Sequence, residues 1–132
     1  MITVLCGIPA SGKTTISKKI AEKQNTIRFS FDEIGCLQHN ELIPCVIEAL
    51  QSGKNVVVDS VYTRASWRKD ILEAIKNIDC QRILIYMDTP LEECIRRNSQ
   101  RPNQLPDFMV RDIYNSIEPP TLDEGWDEIL YY

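Results

Sequence analysis

Apolar positions along the chain fall into two alternating rhythms. Short β-rich runs occur at "ITVLC" (2–6), "TIRFSF" (26–31), "NVVVDS" (55–60), "QRILIYMD" (81–88) and "DEILYY" (127–132). Three of them, at 2–6, 55–60 and 81–88, are nearly unbroken apolar runs, the mark of a strand buried on both faces of a parallel sheet. Between the runs the spacing lengthens to three or four residues, which predicts amphipathic helices over 13–24, 40–53, 63–78, from Thr89 onward, and 106–117. Local signals punctuate them. Pro44 suits a first helical turn, Gly53 a C-terminal stop, Thr63 an N-cap, and Thr89-Pro90 a cap followed by N1. Strands alternating with helices predict an α/β fold with a mainly parallel sheet and helices on both faces. Ligands in such folds bind at the C-terminal ends of the strands.

The chemistry gathers at those ends. The first strand runs into "CGIPASGKTT", which fits G-x-x-x-x-G-K-[ST] without departure and has the strand before it and the helix after it that the motif requires. The expected binding set is Gly7, Ala10, Ser11, Gly12, Lys13, Thr14 and Thr15. Glycines let backbone amides close around phosphate oxygens, and the helix N-terminus faces the anion. Lys13 brings a charge to the β- and γ-phosphates, and the Thr14 hydroxyl is offered to Mg²⁺. The expected ligands are therefore ATP, or another nucleoside triphosphate, and Mg²⁺.

Asp32 follows the second strand in "RFSFDEIG" and is placed to take a proton from an attacking hydroxyl, with Glu33 as its substitute. A helix N-cap is the plainer use of an aspartate there. Asp59 ends "NVVVDS", a run of three valines and then a carboxylate, suited to holding Mg²⁺ directly or through water. Arg97 and Arg101 in "CIRRNSQR" are four apart, on one helix face, and could close over a γ-phosphate, with Arg96 as a stand-in. Arg64 and Arg68 share the same spacing beyond Asp59 and are candidates to touch an acceptor phosphate. His39, Trp67 and Trp126 are read as loop and packing residues.

At 132 residues the chain is read as a single domain, 1–132, with a lid region about 90–105. A net charge of −4 argues against a surface coated for gripping long nucleic acid but leaves room for a local basic cleft. The five cysteines are scattered and never spaced C-x-x-C, as reduced thiols would be. The short apolar N-terminus has no basic stretch ahead of it, and no run reaches the length of a membrane span, so no membrane partner and a cytoplasmic location are expected.

Taken together, "GIPASGKTT", "FSFDEI", "VVVDSVYTRASWRKDI" and "LIYMDTPLEECIRRNSQR" resemble the P-loop kinase group that includes polynucleotide 5′-hydroxyl kinases. The resemblance runs through most of the chain. It implies a three-layer P-loop NTPase fold with a five-stranded sheet and a helical lid. It also implies transfer of the γ-phosphate to an alcohol group, with Lys13, Asp32, Arg97 and Arg101 catalytic. The acceptor it suggests is a polynucleotide 5′-hydroxyl or a nucleotide-like molecule. Polynucleotide kinases of the group commonly carry an arginine three positions after the catalytic aspartate, where this chain has Gly35. A small metabolite, nucleoside or nucleoside monophosphate therefore stands as an alternative acceptor, and an ATP-binding regulatory module without transfer as another reading.

Overall fold

The computed structural model describes residues 1–30 and 41–132. Strands β1 (Ile2–Cys6), β2 (Thr26–Ser30), β3 (Asn55–Asp59), β4 (Arg82–Tyr86) and β5 (Glu128–Tyr131) interleave with helices α1 (Lys13–Ala21), α2 (Ile43–Gln51), α3 (Ala65–Ala74), α4 (Leu91–Asn98) and α5 (Asp107–Asn115). The strands form one sheet in the order β2-β3-β1-β4-β5, and every pairing is parallel. The expected α/β fold with a five-stranded parallel sheet is the observed one. No helix among the described residues is long and apolar enough to cross a membrane.

Strand periodicity distributes the core. On β1, Ile2, Val4 and Cys6 face one side, where they meet Val46 and Leu50 of α2 and Ile71 and Leu72 of α3. Leu5 faces the other, with Val57 and Ile85, against Ile16 and Ile20 of α1. All five β1 residues are buried, as the unbroken apolar run requires of a strand covered on both faces. A third cluster joins Ile8 in the loop after β1 to Cys94 and Val110, with Leu91, Ile95 and Ile113 packed around them. That cluster seats the α4–α5 pair beside the loop. Trp126 is buried in the core with α2 and α3, in agreement with a packing role.

Helix ends follow local chemistry, with some shifts. At the end of α2, Lys54 N–H donates to Ala49 O and Gly53 N–H to Leu50 O, a Schellman closure with Gly53 at φ 82°. Pro44 lies in that helix's first turn, as predicted. Helix α1 stops at Ala21, short of the expected Gln24. The chain must turn there into β2, and Asn25 adopts φ 62° while its side chain donates to Gly53 O. Thr63 does not cap α3. Arg64 is the N-cap, and the Thr63 carbonyl instead accepts from Glu118 N–H. Thr89 does not cap α4 either. Pro90 takes that position, and the Thr89 hydroxyl bonds the loop between β1 and α1 instead.

Candidate active site

The loop between β1 and α1 is built from its glycines. A Cβ on Gly7 would stand 2.7 Å from Ser11 Oγ and 2.9 Å from Met87 Cβ, so only glycine lets the chain leave β1 along this path. Gly12 has φ 101°, where a side chain would be strained. The loop is held from three sides. Gly7 N–H donates to Val61 O, Ser11 N–H to Ile8 O, and the Thr89 hydroxyl to Ser11 O at 2.7 Å.

The first-turn N–H groups of α1, on Lys13, Thr14 and Thr15, have no partner within a helix, and no side chain caps them. Ser11 Oγ is buried without a hydrogen-bond partner. A ring of donors and an orphaned hydroxyl fit phosphate oxygens. Lys13 is buried, with Nζ donating to Ile8 O at 2.8 Å. Burial pushes its pKa down to about 8, with the Asp59 carboxylate opposing that fall and the nearby Arg101 charge adding to it.

These groups line a cleft of about 810 Å³, within the range of small-molecule sites. Asp59 enters it from the end of β3, and Arg97 and Arg101 from α4 and the turn after it. Arg97 Nη1 lies 3.5 Å from where a Gly12 Cβ would be, and its Nε donates to Glu93 Oε1, which leaves the guanidinium over the loop. The structure thus brings together Ala10, Ser11, Gly12, Lys13, Thr14, Thr15, Asp59, Arg97 and Arg101 around the cleft, while Gly7 shapes the loop from behind and does not line it. Among the described residues no three His, Cys, Asp or Glu side chains form a metal cage. A Mg²⁺ ion held by one or two protein groups plus phosphates and water does not need one, and the Thr14 hydroxyl with Asp59 fits that pattern. Arg96 points away from the cleft, paired with Glu93.

Arg64 and Arg68 do not join this site. Arg64 is exposed at the α3 N-cap and stacks on Trp67, 5.4 Å from the ring centroid. Arg68 has no exposed surface. Its donors go to both Glu124 oxygens, to Tyr62 O and Glu118 O, and to Cys6 Sγ. A guanidinium with every donor committed inside the protein has none to give an acceptor phosphate. Its expected acceptor role is corrected to a structural one. Asp32, Glu33, Gly35 and His39 lie outside the described residues.

Three residues that shape the site are given no part in it by the sequence. Thr89, read there as a helix cap, fastens the loop to the β4–α4 junction. Asn98, fully buried in "RRNSQR", donates to Leu105 O at 2.7 Å and accepts from Leu105 N–H at 3.1 Å. It thereby pins the turn that carries Arg101. Asn98→Ala is expected to lower stability by about 2 kcal/mol, since two backbone groups lose their partner. A urea melt checks this. The third residue, Arg28, bonds Asp59 from β2. A charged residue inside a β-rich run was the available signal, because a buried charge needs a partner.

A family model for an AAA domain matches residues 2–120. The chain is similar to the L-seryl-tRNA(Sec) kinase of Methanococcus maripaludis, 30% identical over 146 residues that cover 96% of this chain and 56% of that protein. It is also similar to the bifunctional polynucleotide phosphatase/kinase of Schizosaccharomyces pombe, 26% identical over 134 residues, 97% of this chain and 32% of that protein. The chain thus spans about half the length of the first relative and a third of the second. A fungal RNA kinase crystal structure shares the fold at a TM-score of 0.77 and 18% identity, covering 98% of this chain and 72% of that one.

Proposed function

The chain belongs to the AAA domain family, and from that premise we propose that it is an ATP-dependent kinase that transfers the γ-phosphate to a hydroxyl carried by a nucleic acid. The observation that carries the reading is the single cleft lined by Lys13, Thr14, Asp59, Arg97 and Arg101. An ATP-binding module needs the loop and its lysine, whereas two arginines reaching over that loop suit a phosphoryl group in flight. The nucleic-acid acceptor is supported by the two relatives whose names carry seryl-tRNA and polynucleotide.

The loop amides and Lys13 hold the triphosphate so that its terminal phosphorus faces the acceptor. Asp32 takes the acceptor hydroxyl proton as the new O–P bond forms, and the bond from the γ-phosphorus to the β,γ-bridging oxygen breaks, releasing ADP. Arg97 and Arg101 offset charge on the transferring oxygens. Bound Mg²⁺ supplies further charge neutralisation, and the Thr14 hydroxyl and Asp59 are the groups that would hold it.

The test is incubation with γ-labelled ATP and Mg²⁺. The acceptors are 5′-hydroxyl DNA and RNA oligonucleotides, serylated tRNA, nucleosides and nucleoside monophosphates. Label is expected on a nucleic acid, with acceptor affinity falling steeply as salt rises. Asp32→Ala should cut transfer about 10²-fold while ATP still binds. Label confined to small molecules, indifferent to salt, would support the second reading, which Gly35 and the acidic net charge favour. Nucleotide-dependent binding to a protein, with no labelled acceptor, would remove the kinase reading.

A further inference from the structure

Asp59 does not stand alone at the end of β3. Its Oδ2 accepts from Arg28 Nη2 at 2.7 Å and from Ser17 Oγ at 2.9 Å. Arg28 Nε donates to that same Ser17 oxygen at 2.7 Å, and Ser17 Oγ also lies 3.0 Å from Thr14 O. The three residues come from three elements. Arg28 is on β2, Ser17 on α1, and Asp59 on β3, in register with Ser30 and Leu5 on the neighbouring strands. All three face the α1 side of the sheet, and Ser17 is fully buried. Ser17 has a single hydroxyl proton, so it accepts from Arg28 and donates to Asp59 or to the Thr14 carbonyl.

The Arg28 guanidinium on Oδ2, with the Ser17 hydroxyl beside it and bonded to the same guanidinium, holds the Asp59 carboxylate in one orientation. Its other oxygen, Oδ1, makes no hydrogen bond among the described residues, and Asp59 lines the triphosphate cleft. We infer that Arg28 is a positioning residue: it pins Asp59 Oδ2 so that Oδ1 is held ready for the metal or its water. This rests on the proposed metal role of Asp59. Ser17 extends the effect to Thr14, whose carbonyl shares the Ser17 hydroxyl and whose own hydroxyl is the other candidate ligand. A pre-oriented ligand loses less freedom when the ion arrives.

The test follows binding of a fluorescent ADP analogue as Mg²⁺ is raised, beside thermal melts, for Arg28→Lys, Arg28→Met, Ser17→Ala and Asp59→Asn. Lysine keeps the charge but not the two-point fork. Arg28→Lys is therefore expected to melt near the parent, yet need about tenfold more Mg²⁺ for half-maximal enhancement of nucleotide binding. Metal-free binding should stay unchanged, and Ser17→Ala should show a smaller shift in the same direction. Should Arg28→Met fail to fold, Arg28→Lys and Ser17→Ala decide the matter. If Asp59→Asn raises the Mg²⁺ requirement while Arg28→Lys and Ser17→Ala leave it at the parent value, Arg28 only compensates a buried charge, and the inference fails alone. If Asp59→Asn leaves the requirement unchanged, the metal role of Asp59 fails and the inference falls with it.

Discussion

Lys13→Met is expected to lower phosphoryl transfer by about 10³-fold or more while the chain still folds, because the charge that the loop itself brings to the β- and γ-phosphates is removed. Steady-state assays with γ-labelled ATP, beside a circular dichroism spectrum of the variant, check it. Lys13 Nζ rests on Ile8 O at 2.8 Å, so the ammonium is stored against the loop carbonyl and is within the loop's reach when phosphate arrives. Methionine keeps the length and the apolar stem and removes the charge.

A pH dependence follows from the same residue. Burial holds the Lys13 pKa at about 8, against 10.5 for an ordinary lysine. Between those values the unfolded chain binds a proton that the folded, nucleotide-free chain does not, so this group's contribution to stability rises with pH across about 8 to 10.5. Below about 8 both states are protonated and the contribution is flat. Phosphate favours the ammonium form, so nucleotide binding should take up a proton above pH 8, and affinity should fall by up to tenfold per pH unit there. Calorimetry in buffers of different ionisation enthalpy reads that uptake, with Lys13→Met as the control lacking it. A wild-type affinity that is flat from pH 7 to 9.5, or a methionine variant that still transfers phosphate, would refute the role of Lys13.

The parts of this molecule that follow from periodicity and short motifs were legible in the sequence. The β1 and β3 runs are buried on both faces, and β4 is buried at Leu84 and Ile85 on its two faces, so their composition declares them without help from distant residues. The phosphate loop is local too, because its glycines answer constraints set within the loop and by its neighbour Met87. Helix starts were less legible. Thr63 and Thr89 look like caps, but each is drawn into a longer-range contact. The Thr63 carbonyl serves Glu118, and the Thr89 hydroxyl serves Ser11, 78 positions away. Nothing within a few residues of either threonine reports those partners.

The arginines show the same division. Arg64 and Arg68 have the spacing of Arg97 and Arg101, four apart on a helix. Spacing places two side chains on one face, but the face's surroundings decide their use. The α4 face opens on the cleft, while the α3 face carrying Arg68 turns into the protein against the 122–124 turn. Arg28 is the converse case. Its charge inside a β-rich run says that it needs a partner, but only the parallel register of β2 on β3 makes that partner Asp59.

Arg68→Met should destabilise the fold by about 3–5 kcal/mol, the cost of leaving a buried charge without its partner. Arg68 is fully buried and grips Glu124 through two bonds of 2.9 Å, and Glu124 Oε1 also accepts from the Trp126 indole. The same guanidinium donates to Tyr62 O before α3 and to Glu118 O after α5. It thus ties together three loops that carry no regular ladder between them. Methionine fills much of the volume but leaves Glu124 with the Trp126 indole alone and two carbonyls without a donor.

The double variant Arg68→Met with Glu124→Gln separates the two costs. Removing both charges should recover part of the loss, since a buried ion pair replaced as a unit is often near neutral. Recovery should be incomplete, because Tyr62 O and Glu118 O still lack donors. Urea unfolding monitored at Trp126 and Trp67 reads each step as a shift in midpoint at constant slope. In whatever fraction remains folded, acceptor KM should match the parent, since Arg68 never reaches the cleft. A variant as stable as the parent, with acceptor KM raised tenfold, would return Arg68 to the acceptor site and break the structural assignment.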